Sequence, residues 1–190
     1  VAADGAGGAV VAGYVVAGAP GARDFDWRVI ALDAEGSVRW EMRLDRTGFD
    51  LATALAVTAD GGAVVAGISG RRDRDVRVAR FDGDGVVRWE RVLGGPKRDT
   101  IWGLATTPDG PVLAGSTGSA GAGSQDLWLV GLDDRGERRF ARTYGGIMWD
   151  RAMAVAPAAD GGLWVAGYTT GAGAGFEDGW VLKLDRRGRR

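Results

Sequence analysis

Four aspartates recur at nearly equal intervals, and their phase constrains the fold more than any other feature. Asp26, Asp75, Asp126 and Asp178 are separated by 49, 51 and 52 residues. Seven residues after each stands a second aspartate: Asp33, Asp82, Asp133 and Asp185. Three further on is a glycine (Gly36, Gly85, Gly136, Gly188), and four beyond that an aromatic in three copies (Trp40, Trp89, Phe140). Asp50, Asp99 and Asp150 follow, then Asp60, Asp109 and Asp160. Spacing held over 34 residues in three copies marks an internal repeat.

Each repeat reads as four short strands, A to D. Strand A follows Asp50, Asp99 or Asp150 (LATALAVT, TIWGLATT, RAMAVAPA) and turns at a D-G pair into strand B (VVAG, VLAG, WVAG). Strand C begins at the phasing aspartate (DFDWRVIAL, DVRVARF, DLWLVGL, DGWVLKL), and a D-x-x-G turn leads to strand D around Trp40, Trp89 and Phe140. Valine- and tryptophan-rich runs between Gly/Asp turns suit strands, and no ten-residue stretch has a helical period. On strand A, Ala54 and Ala56, Gly103 and Ala105, and Ala154 and Ala156 share one face, where tiny side chains admit a closely approaching neighbour. Strand C is apolar on both faces, as between stacked sheets.

A period near 50 with four strands per unit predicts an all-β fold: a β-propeller of about four consecutive blades of four-stranded antiparallel sheets. The expected domain is 1–190, with repeat phases near 26–74, 75–125, 126–177 and 178–190 after a partial unit 1–25. The chain opens at an A–B turn (DGAGG) and ends past a strand C, which predicts about 14 strands, with first and last blades incomplete. The two ends both carry B and C, so they do not complete one blade. The expectation is an open arc, or part of a larger ring whose remaining blades belong to the same parent chain.

The stretch Asp126–Gly167 reads D-x-W-L-x-x-L-D-x-x-G, an aromatic four on, then Y-G-G, D-x-A-x-A-V and D-G-G-x-x-V-A-G. It resembles the propeller repeats of bacterial and archaeal exported or surface proteins, and the resemblance extends over essentially the whole chain. It implies a propeller fold, an extracellular, cell-surface or periplasmic location, and no particular activity. D-x-x-G-x-x-x-W also resembles the tryptophan-docking repeat of quinoproteins, A-x-D-x-x-T-G-x-x-x-W. The threonine is missing and the spacing is one short, so blade docking carries over and a quinone cofactor does not.

Composition narrows the chemistry. The chain of 190 residues has no cysteine and no histidine, which removes thiolate and imidazole metal ligands, Ser-His-Asp and Cys-His triads, and the commonest general base. No cofactor and no metal site is expected. A net charge of −1 without a basic stripe predicts no nucleic-acid binding, and no apolar run reaches membrane-span length, so no membrane insertion is expected. No signal peptide is visible; the chain starts at Val1, so an upstream signal is compatible with export.

Candidate sites follow from where the repeat is and is not obeyed. Asp50, Asp99 and Asp150 open strand A at the mouth of the expected channel. A carboxylate ring there suits a cation, but recurrence in every unit favours a turn-fixing role. Asp82-Gly-Asp84-Gly85 lacks the remaining ligands of a calcium loop and reads as a C–D turn. The B–C loops vary most (PGARDF, SGRRDR, GSAGAGSQ, GAGAGFE), and variable loops on a rigid scaffold are where binding concentrates. Arg71, Arg72 and Arg74 in one such loop, with Lys97 and Arg98 in the next D–A loop, form a candidate basic face for an acidic protein or polysaccharide. Met148 and Trp149 are an unrepeated apolar pair before Asp150. The expected function is a non-enzymatic recognition or scaffold module of an exported or surface protein, binding through the B–C and D–A loop face. The alternative is a carbohydrate-active hydrolase or lyase using paired carboxylates; a quinoprotein-like oxidoreductase remnant ranks below both.

Overall fold

The computed structural model describes residues 1–17, 24–45, 48–70, 75–173 and 175–190; Arg71, Arg72 and Arg74 lie outside the described residues. The fold is all-β, with four successive antiparallel sheets and no helix among the described residues. By its contacts the chain divides into two compact units, Val1–Leu93 and Gly94–Arg190.

The first unit holds two four-stranded sheets. One consists of β1 (Ala2–Ala3), β2 (Ala9–Ala17), β3 (Asp24–Leu32) and β4 (Val38–Leu44). The other consists of β5 (Leu51–Val57), β6 (Ala63–Ser69), β7 (Asp75–Phe81) and β8 (Val87–Leu93). The second unit holds β9 (Asp99–Thr107), β10 (Gly110–Thr117), β11 (Asp126–Leu132) and β12 (Arg138–Tyr144) in one sheet. Its other sheet is three-stranded: β13 (Asp150–Pro157), β14 (Leu163–Thr169) and β15 (Asp178–Leu184). In every sheet, neighbours in sequence are neighbours in space, the meander expected of blades. The described strands number 15 rather than about 14. The extra one is β1, which pairs Ala2 with Val10 and Ala3 with Ala9, so the first sheet begins with a two-residue strand A and not at the turn.

Within each unit the core lies between the two sheets. In the first, Val10, Trp27, Val29 and Ala31 meet Ala63, Val65, Ala79 and Phe81. In the second, Val112, Ala114, Leu127, Leu129 and Phe140 meet Ala152, Leu163, Val165, Leu182 and Leu184. Period-two alternation on strands A to C supplies these inward faces.

The D-x-x-G turns are four copies of one device. In each, the aspartate Oδ1 accepts hydrogen bonds from the backbone N–H groups two and four residues on, for Asp82 those of Asp84 and Val86 at 3.0 and 2.8 Å. The glycine takes φ between 67° and 85°, which a side chain disfavours. Asp82-Gly-Asp84-Gly85 is therefore a turn whose carboxylate is engaged with its own backbone.

These turns also dock the aromatics. Trp40 of β4 donates from Nε1 to the Gly83 carbonyl at 2.9 Å and lies so close to Gly85 that a Cβ there would meet the indole at 2.7 Å. In the second unit Phe140 lies against Gly188, and Tyr144 takes over the hydrogen bond by donating to the Gly188 carbonyl. The aromatic of one repeat thus seats on the turn of the next, which explains why aspartate, glycine and aromatic recur together.

Strand A carries a feature that alternation does not anticipate. The pairing of β5 with β6, β9 with β10 and β13 with β14 shifts once, leaving Thr53, Trp102 and Met153 as the extra residues of β-bulges. Beyond the bulge the face reverses, so that Ala152 and Val155, not Ala154, pack on the second unit's core. The small-residue face then meets a neighbouring backbone: a Cβ on Gly103 would come within 2.9 Å of the Ala154 Cα.

The last C–D turn yields a pH prediction. Hydrogen bonds from the Arg189 backbone N–H above all, then from Arg187 N–H and the Arg189 guanidinium, hold the Asp185 carboxyl at about 2 against an ordinary 3.8. The folded value is depressed, so this contribution to stability is complete above about pH 4 and is lost as pH falls toward 2. A carboxyl-carbon NMR titration is expected to place Asp185 near 2; a midpoint at the ordinary value would contradict the turn geometry.

Candidate binding face at the loop end of the second unit

In residues 94–190 the D–A and B–C loops lie side by side. The loop before β9 reaches the loop after β10 through Gly118 N–H to Arg98 O (2.9 Å), and through Ser119, whose Oγ accepts from Lys97 N–H (3.0 Å). The far side of that B–C loop meets the next D–A loop, for a Cβ on Gly123 would fall 2.4 Å from Gly146 O and 2.6 Å from Met148 O. Gln125 and Trp149 form a parallel bridge, and Asp150 N–H donates to Gln125 O at 2.8 Å. Trp149 is held on its other side too, with Thr170 N–H donating to its carbonyl (2.8 Å) and its own N–H donating to Thr170 Oγ1 (3.0 Å).

This row brings Lys97 and Arg98, both exposed, onto the same set of loops as Met148 and Trp149. Arg71, Arg72 and Arg74 belong to a loop outside the described residues, so the basic face is seen only in its Lys97–Arg98 half. Two further apolar residues that spacing along the chain does not single out are exposed on these loops: Ile147 at 79%, next to Met148, and Phe176 at 87%, on the B–C loop that follows β14. Met148 and Trp149 are half exposed at 47% and 50%. The Arg151 guanidinium lies 5.4 Å from the Trp149 ring and donates to Gln125 Oε1 at 3.0 Å.

The strand-A aspartates are all buried. Asp99 Oδ2 accepts from Gly95 N–H (2.9 Å) and Ser119 Oγ (2.8 Å), and Asp150 Oδ2 from Gly146 N–H (2.9 Å). Asp50 Oδ1 lies 3.9 Å from Arg77 Nη1. Asp126 joins them from strand C, its Oδ2 accepting from Gly123 N–H at 3.0 Å. Gly145 separates Asp126 from Asp150: a Cβ there would meet Asp150 Oδ2 at 2.3 Å and Asp126 Oδ1 at 2.7 Å. Among the described residues no group of three or more acidic, histidine or cysteine side chains is arranged to hold a metal ion.

Beside the exposed apolar residues opens a cleft of about 670 Å³, lined among others by Tyr144, Asp150, Asp178, Trp180 and Arg190. Its size is that of an ordinary ligand site. The Arg190 guanidinium stacks 5.3 Å from the Tyr144 ring and 5.4 Å from the Trp180 ring. Burial raises the Tyr144 hydroxyl above its ordinary value, against the opposing pull of the Arg142 and Arg190 charges.

Comparison with known proteins bears on the fold. No family model and no curated protein matches the chain. Among solved structures it is similar to a protein of unknown function from Bacteroides caccae, with a TM-score of 0.52 and 14% identity over 92% of this chain and 58% of that one. It is also similar to Sqt1 from Chaetomium thermophilum, with a TM-score of 0.44 and 20% identity over 84% of this chain and 37% of that one. The chain thus spans about three fifths of the former's length and little more than a third of the latter's. At these identities the first likeness concerns the fold alone.

Proposed function

We propose that the chain is a non-enzymatic recognition module that binds a protein partner through the loop end of residues 94–190. The observation that carries this reading is the exposed run Ile147, Met148 and Trp149, on a loop whose backbone is tied to both neighbouring B–C loops, the second of which carries the exposed Phe176. Rigid loops that hold apolar side chains in water lose little freedom on binding and recover the cost of exposure. Lys97 and Arg98 extend the row and suit an acidic contact at its rim. The carbohydrate-active alternative has less support, because Asp99 and Asp150 are engaged with loop amides and Asp50 faces Arg77. The likeness of the repeats to those of exported propellers supports a cell-surface or periplasmic setting for the parent protein.

The test is to pan the chain against a random-peptide phage library and a glycan array, then measure every enriched ligand on Ile147→Ser/Trp149→Ala. Peptide binding is expected to weaken at least about tenfold, the loss of one or two buried anchors, with an unchanged melting temperature. Ligands that bind the wild type and the variant equally would overturn the assignment of this face. Enrichment of glycans alone would overturn the protein partner.

A further inference from the structure

We propose that the cleft between Tyr144, Asp150, Asp178 and Trp180 is an arginine-recognition site, in which the chain's own Arg190 stands and from which an arginine of a partner polypeptide displaces it. The proposal rests on the protein-binding reading above and specifies the partner's chemistry.

The first observation comes from the sister repeat. Asp26 and Asp50 occupy in the first unit the places of Asp126 and Asp150 in the second. There the chain supplies its own guanidiniums: Arg43 hydrogen-bonds Asp26 Oδ2, with Nε at 2.8 Å, and Arg77 Nη1 lies 3.9 Å from Asp50 Oδ1. In the second unit the position of Arg43 is Thr143. The position of Arg77, opposite strand-B Gly67, is Trp180, opposite Gly167. Among the described residues neither Asp126 nor Asp150 forms an ion pair, both are 1% exposed, and Asp150 Oδ1 accepts no hydrogen bond. The scaffold thus keeps two carboxylates that are met by arginine in one unit, and replaces both arginines in the other.

The second observation is what occupies the opening. Where Arg77 would have stood, Trp180 and Tyr144 present ring faces, and a guanidinium already stacks on both, that of Arg190. Two ring faces beside carboxylates favour guanidinium over ammonium, because a lysine head is compact, strongly hydrated and lacks a flat face. Carboxylates on the wall exclude anions. Gly146 and Gly171 line the cleft and flank the stretch that carries Ile147, Met148 and Trp149, so an arginine entering the cleft places its neighbours on the apolar row. Arg190 is held by stacking, with no ion pair to it among the described residues, and is therefore an exchangeable occupant.

The probe is N-acetyl-arginine amide, titrated into the full chain while the indole N–H of Trp180, assigned with Trp180→Phe, is followed by NMR. Citrulline amide (same shape, no charge) and N-acetyl-lysine amide are the controls. Arginine amide is expected to shift the Trp180 signal saturably, with citrulline inert and lysine weaker by at least about threefold. Arg190→Ala is expected to tighten arginine binding at least about threefold by removing the competitor. Asp150→Asn, or Asp178→Asn should the first variant fail to fold, is expected to weaken it at least about fivefold. Equal shifts from citrulline would overturn the proposal, as would no saturable shift in Arg190→Ala up to about 50 mM probe, beyond the range of a specific site. The two readings fail separately. Arginine binding without peptides that need Trp149 removes the docking face and leaves the cleft. Peptides that need Trp149 yet bind equally after their arginines are changed to citrulline remove the cleft and leave the face.

Discussion

Replacing Gly115 by alanine is expected to destabilise the protein by about 3 kcal/mol or more, at the severe end for one added methyl group. A Cβ at this position would fall 1.9 Å from the Thr100 carbonyl oxygen and 2.8 Å from the Ile101 Cα. Both are backbone atoms of β9 at its bulge, in the middle of a buried sheet, so no side chain can rotate away. Gly67 and Gly167 meet the same obstacle, with the Leu51 and Arg151 carbonyls at 1.9 and 1.8 Å. The control is Gly13, the equivalent glycine of the first sheet. There a Cβ added to Gly13 would have nothing within 4 Å. Gly13→Ala should leave the urea midpoint unchanged or raise it slightly, while Gly115→Ala lowers it sharply. Equal behaviour of the two would show that the bulge is not what requires glycine.

Arg77→Met is expected to cost about 3 kcal/mol, the scale of breaking a buried ion pair from one side. Arg77 is 2% exposed and donates from Nε and Nη2 to Glu90 at 3.1 and 3.2 Å. It also lies 3.9 Å from Asp50 and stacks 5.0 Å from the Trp27 ring. Methionine fills much of the volume but withdraws the guanidinium from both carboxylates. The double variant Arg77→Met/Glu90→Leu should recover part of the loss, because it removes a charge along with its partner. Arg28→Met is the internal control: Arg28 and Glu41 form the same pair one repeat earlier, at 2.7 Å, but both are exposed. Exposed pairs contribute little, so its unfolding midpoint should not move. A similar drop in both variants would contradict the role of burial.

Most of the architecture was legible because its causes are local and repeat. The D-x-x-G turn needs one carboxylate within four residues of the amides it holds, and the spacing states that directly. The docking aromatic was legible as an in-phase residue, although its seat is the next repeat's turn. The bulges were not, since alternation from Asp150 assigns Ala154 to the face that Val155 takes. The glycine of V-A-G likewise looked like an ordinary strand residue, because the atom that forbids a side chain sits on the paired strand. The loop row was half legible: Lys97, Arg98, Met148 and Trp149 stand out as unrepeated, whereas Ile147 and Phe176 acquire meaning only through their exposure.

By itself the sequence determined the all-β repeat, the strand order, the turns and the exclusion of histidine and cysteine chemistry, since all of these follow from residue type and spacing along one segment. The tertiary structure alone decided what stands opposite what. Tyr144, Asp150, Trp180 and Arg190 come from four different segments and converge on one cleft. Asp150, in phase with Asp50 and therefore indistinguishable from it in the repeat, lines this cleft with Trp180, which stands at the position where Asp50 has Arg77. The reason is physical: a repeat specifies the backbone that positions a carboxylate, but its charge partner comes from another strand, where one substitution turns a closed ion pair into an open site.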